Sequence, residues 1–352
     1  MIAVIGGGLA AAKLVEGYRD AGGTDAITIY SGDEHGPYHR PPLSKRLLRG
    51  EMEAQDALVH PHEWYGEQNV DLRLGEQVNS LEELSADTVV IATGARPREL
   101  GHLHQFRTID DSLAVRRRAG EVKTATVVGG NFIGCEVTAS LTQLGVTVTQ
   151  CVREPLLFGI LQAEPLSESL AATYRENGVD LRLNWNEDPP PADLMVAGIG
   201  VIPNTELAKD AGLEVRSGVV VDERFATARP GTYAIGDVAE FFDPVFGKHR
   251  RIEHWSNAAY HGTTLGRILA GESESYDIVS AFFSEEFGRS FRYFGDASGH
   301  DSTVLEGDFG EGRAVYRFLR NGGVVAAATM GLEGHEEDAL KEEIKAGAAA
   351  NR

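Results

Sequence analysis

Gly6, Gly8 and Ala11 hold the G-x-G-x-x-G/A spacing directly behind an apolar run, Ile2 to Ile5. That spacing suits a dinucleotide. The first glycine permits a tight turn, the second lets backbone approach a pyrophosphate, and the third small residue lets helix and strand pack closely. Leu9 and Ala10 then open a helix whose free N–H groups and partial positive charge favour phosphate. The pattern returns at Gly129, Asn131 and Gly134, behind the expected strand 125–128. Asn131 replaces the middle glycine, and asparagine tolerates unusual backbone angles, so the turn is expected to survive. An acid beyond the second strand of such a unit accepts a hydrogen bond from ribose. Asp33 and Glu34 are the candidates, and Glu34 is carried forward as the cofactor-binding one. The two cysteines, Cys135 and Cys151, lie in no C-x-x-C or metal-ligand spacing. They imply no zinc and no disulfide framework, hence a reducing compartment and a cytoplasmic location. The first strand begins at residue 2, which leaves no room for a signal peptide before it.

These groups need strands and helices to hold them. A helix over 9–20, a strand over 26–30, and strands over 70–74 and 88–92 make the first βαβ-type unit. A linking helix over 110–118 leads to the second, with strands over 146–151, 179–183 and 192–200 and a helix over 165–177. Ser44 is a plausible N-cap, and the prolines of 37–42 hold an extended segment. Segment 60–65 opens a helix, so His60 and His62 are structural. A helix over 257–270 is followed by strands over 291–294, 303–306, 313–319 and 323–329. Asn321-Gly322 is a hairpin signal between the last two, and a charged helix over 336–349 ends the chain. With 352 residues, 42% apolar and 24% charged, this is the composition of a globular protein of two or three domains. A formal charge of −20 makes nucleic acid an unsuitable partner. No apolar run reaches the ~18 residues of a membrane span.

Tyr38-x-Arg40-Pro41-Pro42-Leu43-Ser44-Lys45 resembles the Y-x-R-P-P-L-S-K segment of FAD-dependent ferredoxin reductases. This glutathione-reductase-like group includes apoptosis-inducing-factor-like proteins. Further segments fit it: Ala92-Thr93-Gly94, the Ile133-Gly134-Cys135-Glu136 turn, the stretch through Gly200 to Thr205, Tyr233-Ala234-Ile235-Gly236-Asp237, and Glu253 to Ala258 with Trp255. Residues 281–287 resemble an F-W-S-D-Q-type opening of the family's C-terminal domain. The resemblance implies an α/β fold with two Rossmann-like dinucleotide-binding domains and a small α+β C-terminal domain. The divisions are 1–106 and 216–272 for FAD, 107–215 for NAD(P)H, and 273–352 for the C-terminal interface domain. It implies that FAD is held by Gly6, Gly8, Leu9, Ala10, Glu34, Arg40, Lys45, Val78, Ala92, Thr93, Gly94, Gly236, Asp237 and Trp255. NAD(P)H would be held by Gly129, Asn131, Phe132, Ile133, Glu136, Arg153 and Gly200. Lys45 and Glu136 would form the catalytic pair.

Two departures from the family stand out. The antiparallel meanders usual after the strands ending near Leu74 and Leu183 are reduced to short connections. The NAD-selecting acid expected at Val152 is missing and Arg153 follows, which resembles the NADPH-using branch, since arginine pairs with a 2′-phosphate. The implied reaction takes hydride from NAD(P)H, with NADPH favoured, and passes single electrons to a small iron–sulfur protein such as a ferredoxin. The alternatives are an NAD(P)H-responsive redox sensor and a binding protein without turnover. Arg46 with Arg49, residues 248–251, and Arg289 with Arg292 are the candidate docking patches for an acidic ferredoxin. The oligomeric state is not legible.

Overall fold

The computed structural model describes residues 1–101 and 103–352. The chain divides into two compact units. One comprises Met1–His39, Gln55–Arg96 and Ile202–Ile278; the other comprises Arg40–Ala54, Pro97–Val201 and Val279–Arg352.

The first unit is built on a five-stranded parallel sheet. Its order is Thr232–Ala234, Thr88–Ile91, Ile2–Ile5, Ile27–Tyr30 and Val70–Arg73. The central strand is buried along its whole length, which is why it reads as an uninterrupted apolar run. Helix Leu9–Asp20 returns from it and lies against helix Trp255–Leu269. Glycine makes that approach possible. A Cβ on Gly17, Gly262 or Gly266 would run into the backbone of Thr263, Ala10 or Leu14 respectively. Between Arg73 and Thr88 only a single 3₁₀ turn, Leu81–Glu83, is formed, so the meander is absent there. The helix expected from residue 60 is shorter, His62–Glu67, because Asn69 turns into the left-handed region (φ 53°). A small three-stranded sheet, Val219–Val221, Ala239–Asp243 and Lys248–Arg250, completes the unit.

The second unit joins two sheets around one core. A four-stranded parallel sheet has the order Asp180–Arg182, Thr147–Cys151, Thr124–Val128 and Leu194–Ala197. Helix Phe132–Gln143 follows its strand Thr124–Val128, and helix Ile109–Ala119 starts on a reciprocal cap between Thr108 and Asp111. A five-stranded antiparallel sheet has the order Ala281–Glu286, Arg289–Gly295, Gly323–Met330, Arg313–Arg320 and Ser302–Asp308. Asn321 and Gly322 both take positive φ, 48° and 79°, the two-residue turn that matches strand twist. Helix Gly334–Ala350 covers this sheet, with Leu340, Ile344 and Ala348 buried. Cys135, Phe158, Tyr174, Phe291 and Phe318 belong to the shared core. Phe158 holds φ 51°, a conformation that costs a bulky residue of order 1–3 kcal/mol. Its N–H donates to Gly130 O at 2.6 Å, and its ring meets Phe132 and Phe291 edge-on.

Candidate active site

In the first unit the sequence motifs converge on the N-terminus of helix Leu9–Asp20. Gly6 has φ 114°, and a Cβ there would overlap the Ala92 carbonyl, which ties the glycine turn to the Ala92-Thr93-Gly94 segment. A Cβ on Gly236 would stand 3.3 Å from that of Ala10, so the Gly236-Asp237 segment reaches the same helix end. Gly8 differs from Gly6, since a Cβ there would meet nothing within 4 Å. Open space therefore lies where the helix presents its unpaired N–H groups. Thr93 Oγ1 donates to Asn204 O at 2.7 Å, and Asn204 Nδ2 donates to Thr93 O at 2.9 Å. This pair of bonds holds the turn before Gly94.

The two acids of the second strand separate clearly. Asp33 is engaged on both oxygens, by His35 N–H at 3.0 Å and by Tyr38 OH at 3.0 Å. Glu34 is exposed, and its Oε1 would lie 2.8 Å from a Cβ on Gly75. No such hydrogen-bond partner holds Glu34 among the described residues. Val78 is buried. Trp255 is half-buried, and its indole N–H donates to His39 Nδ1 at 3.0 Å. His60 Nε2 lies 2.7 Å from Glu16 Oε1, and the ring stacks on Trp64 at 3.7 Å. His261, absent from the sequence reading, is wholly buried among Phe225, Phe241 and Tyr276. Its Nδ1 accepts the Gly236 N–H at 3.2 Å. Burial lowers its pKa to about 3, so it stays neutral and keeps that acceptor.

In the second unit, Gly129 takes φ 129°, and its Cβ would overlap Gly198 O. A Cβ on Gly134 would overlap Gly129 O in turn. The turn forms, but not for the expected reason. Asn131 sits in ordinary extended backbone, φ −108°, so this position asks for no special tolerance. Its side-chain Oδ1 is buried without a hydrogen-bond partner. Phe132 and Ile133 are half-buried at the helix start, and Gly200 is exposed with φ 93° beside Arg98. Cys151 ends its strand and Val152 is fully buried, while Arg153 is exposed. Arg40 Nη1 donates to Arg107 O at 2.5 Å.

Lys45 and Glu136 form a buried ion pair within this unit. Lys45 lies at a kink in the irregular turn Leu43–Leu47, and Glu136 in the first turns of helix Phe132–Gln143. Glu136 is only 5% exposed, so Lys45 meets a carboxylate shielded from competing water. Removing either partner from such a pair typically costs about 3–5 kcal/mol. Ser44 is not an N-cap, because Pro42 holds that place and the Ser44 hydroxyl is turned inward to donate to Glu136 Oε2. Ser284 donates to Glu136 Oε1 at 2.6 Å and also contacts Glu286. A cavity of about 390 Å³ lined by Pro41, Lys45, Arg49, Glu136 and Glu285, among others, opens beside the pair.

Comparison with known proteins decides the family. A model of the pyridine nucleotide-disulphide oxidoreductases matches residues 1–189 and 185–262. The chain is 32% identical to the ferredoxin–NAD(+) reductase component of the p-cumate 2,3-dioxygenase system of Pseudomonas putida, over 94% of this chain and 89% of that one. It is 30% identical to the corresponding component of the anthranilate 1,2-dioxygenase system of Burkholderia cepacia, over 98% and 94%. The fold superposes on the reductase of a covalent putidaredoxin reductase–putidaredoxin complex with a TM-score of 0.92, at 28% identity, covering 98% of this chain and 93% of that one. The chain belongs to the pyridine nucleotide-disulphide oxidoreductase family. It is an oxidoreductase that uses FAD and a pyridine nucleotide.

Neither cysteine of this oxidoreductase is placed for the disulfide chemistry in its family's name. Cys135 and Cys151 are free and buried, and burial raises both thiols above their usual pKa, which makes them poor nucleophiles. The basic patches are largely consumed internally. Arg250 pairs with fully buried Asp243, Arg251 with Glu253, Arg49 with Glu51 and Arg292 with Glu337. Arg289 donates to Thr173 and Ser169. Among the described residues no helix is long and apolar enough to cross a membrane. Sequence reasoning missed Ser284 and Glu286 as partners of the ion pair. The available signal was period two, which puts Phe282, Ser284 and Glu286 on one face of their strand.

Proposed function

We propose that this oxidoreductase takes hydride from NADPH and passes electrons singly to a ferredoxin-type iron–sulfur protein. The observation that carries the reading is the buried Lys45–Glu136 pair beside the second glycine turn, in a chain with no redox-active cysteine pair. FAD supplies the exchange between a two-electron donor and a one-electron acceptor. The first glycine turn and Ala10 would hold its pyrophosphate, Glu34 a ribose hydroxyl, and Gly236 with Asp237 the ribityl chain. The fit rests on the open space at Gly8 and on the close approach of Gly236 to Ala10. Arg40, Val78 and Trp255 complete that set in the proposal.

The nicotinamide dinucleotide would lie along Gly129, Asn131, Phe132 and Ile133, with Gly200 opposite. Asn131 Oδ1, buried and unpartnered, is the kind of orphan acceptor that a bound carboxamide or ribose hydroxyl satisfies. Lys45 would supply a positive charge to the hydride-transfer site, and Glu136 would orient that charge. Arg153 would bind a 2′-phosphate that an acid at Val152 would otherwise repel. Relatives named as NAD(+) reductases make this the most discriminating part of the reading.

The test is turnover with a purified [2Fe–2S] ferredoxin as acceptor, followed by bleaching of the ferredoxin. Wild type reduces it catalytically, and Glu136→Gln, which leaves Lys45 without a carboxylate, slows it by roughly 10²-fold or more. Equal rates in the two proteins, or no ferredoxin reduction, contradict the proposal.

A further inference from the structure

Glu286 is fully buried at the end of strand Ala281–Glu286, and no step of the reading above uses it. Its Oε1 touches Ser284 Oγ, which also lies 2.6 Å from Glu136 Oε1. Ser284 has one hydroxyl proton. It can serve one of these carboxylates as a donor, and the contact with the other then needs a proton on that carboxyl. Lys45 sits on Glu136, which makes Glu136 the ionised partner, so the extra proton belongs to Glu286. Its second oxygen agrees. Glu286 Oε2 is buried with no hydrogen-bond partner, costly for a carboxylate oxygen and far less so for the carbonyl of an acid.

We propose that Glu286 is a positioning residue for the Lys45–Glu136 pair: it stays a carboxylic acid, donates its proton to Ser284, and through that hydroxyl fixes Glu136 toward Lys45. The direction of donation is Glu286 to Ser284 to Glu136, and Ser44 donates to the other Glu136 oxygen. Four residues from two separate stretches, Ser44 and Lys45 from one and Ser284 and Glu286 from the other, thus converge on one anion, and no electron moves among them. When Glu286 ionises, Ser284 faces two carboxylates with one proton between them. Repulsion across that hydroxyl then loosens Glu136 from Lys45. Burial and the Glu136 charge raise the Glu286 pKa to about 8, which places the switch just above neutral pH. The charged and titratable groups acting on Glu286 are Glu136, Lys45, Glu285, Cys135 and Tyr174. Of these, only Lys45 favours its ionised form.

The inference rests on reading Lys45 and Glu136 as the catalytic pair, and its test separates the two. Infrared pH titration of the holoenzyme reads the carboxylic acid C=O band directly, and stopped-flow reduction by NADPH is recorded on the same samples. Wild type shows a buried-acid band at pH 7 that disappears near pH 8, and its reduction rate falls about tenfold per pH unit above that point. Glu286→Gln, whose amide N–H still donates to Ser284, loses the band, keeps the pH 7 rate within about twofold and loses the alkaline fall. Ser284→Ala keeps the acid band but reduces slowly at every pH. An unchanged band in Glu286→Gln, or an alkaline fall that persists in it, overturns the proposal. If no variant is reduced by NADPH while the band titrates and vanishes in Glu286→Gln, the proton assignment stands and the proposed function fails.

Discussion

At Arg153 the chain leaves a strand ending in Cys151 and presents a guanidinium to solvent, with no side-chain partner among the described residues. The neighbouring Val152 is fully buried and fills the space against Gly130. A ligand phosphate would supply the missing partner. Hydrogen bonds to charged groups contribute about 1.5–3 kcal/mol, which corresponds to roughly ten- to a hundredfold in affinity. Arg153→Ala should therefore raise KM for NADPH by about that factor and leave KM for NADH unchanged, as measured in steady state with a saturating acceptor. A parallel rise for both donors would mean that Arg153 acts on something other than the 2′-phosphate. Glu34 and Asp33 show the same logic in the other unit. Asp33 is occupied by its own turn, and Glu34 would be left for a ligand.

At the scale of the element, the two outer glycines of the first turn have opposite surroundings. A side chain on Gly6 would overlap the Ala92 carbonyl and would also need φ 114°, whereas one on Gly8 would enter open space in ordinary extended backbone. Gly8→Ala should fold with a melting temperature close to wild type, yet purify without bound flavin. Gly6→Ala should lose stability as well, which thermal unfolding followed by circular dichroism would show. Both glycine turns, their strands and helices, and the Asn321-Gly322 hairpin were legible, because each depends on local spacing and backbone angle. The partners of Glu136 were not. Ser44 looked like a cap because its neighbours are prolines, but Pro42 holds the cap and the hydroxyl turns inward. Glu286 was given no role of its own within 281–287; it is buried on a strand that packs against helix Phe132–Gln143. Asn131 was legible as an anomaly and misread in cause, since its backbone is unstrained.

At the scale of the whole molecule, a charge of −20 bears on how an acidic electron acceptor arrives. Most arginines expected to form docking patches are paired within their own unit, so charge on this chain offers an acidic partner little steering. Docking then depends on short-range fit, while the chemistry would depend on the FAD and nucleotide sites proposed above. The central claim is that this chain is an FAD-dependent reductase supplied by NADPH. An anaerobic absorbance titration of the purified yellow protein, once with NADPH and once with NADH, tests it most directly. The account predicts rapid bleaching of the flavin band by NADPH and slower bleaching by NADH. Equal or faster bleaching by NADH would remove the role given to Arg153, and a protein that neither holds FAD nor bleaches with either donor would contradict the account as a whole.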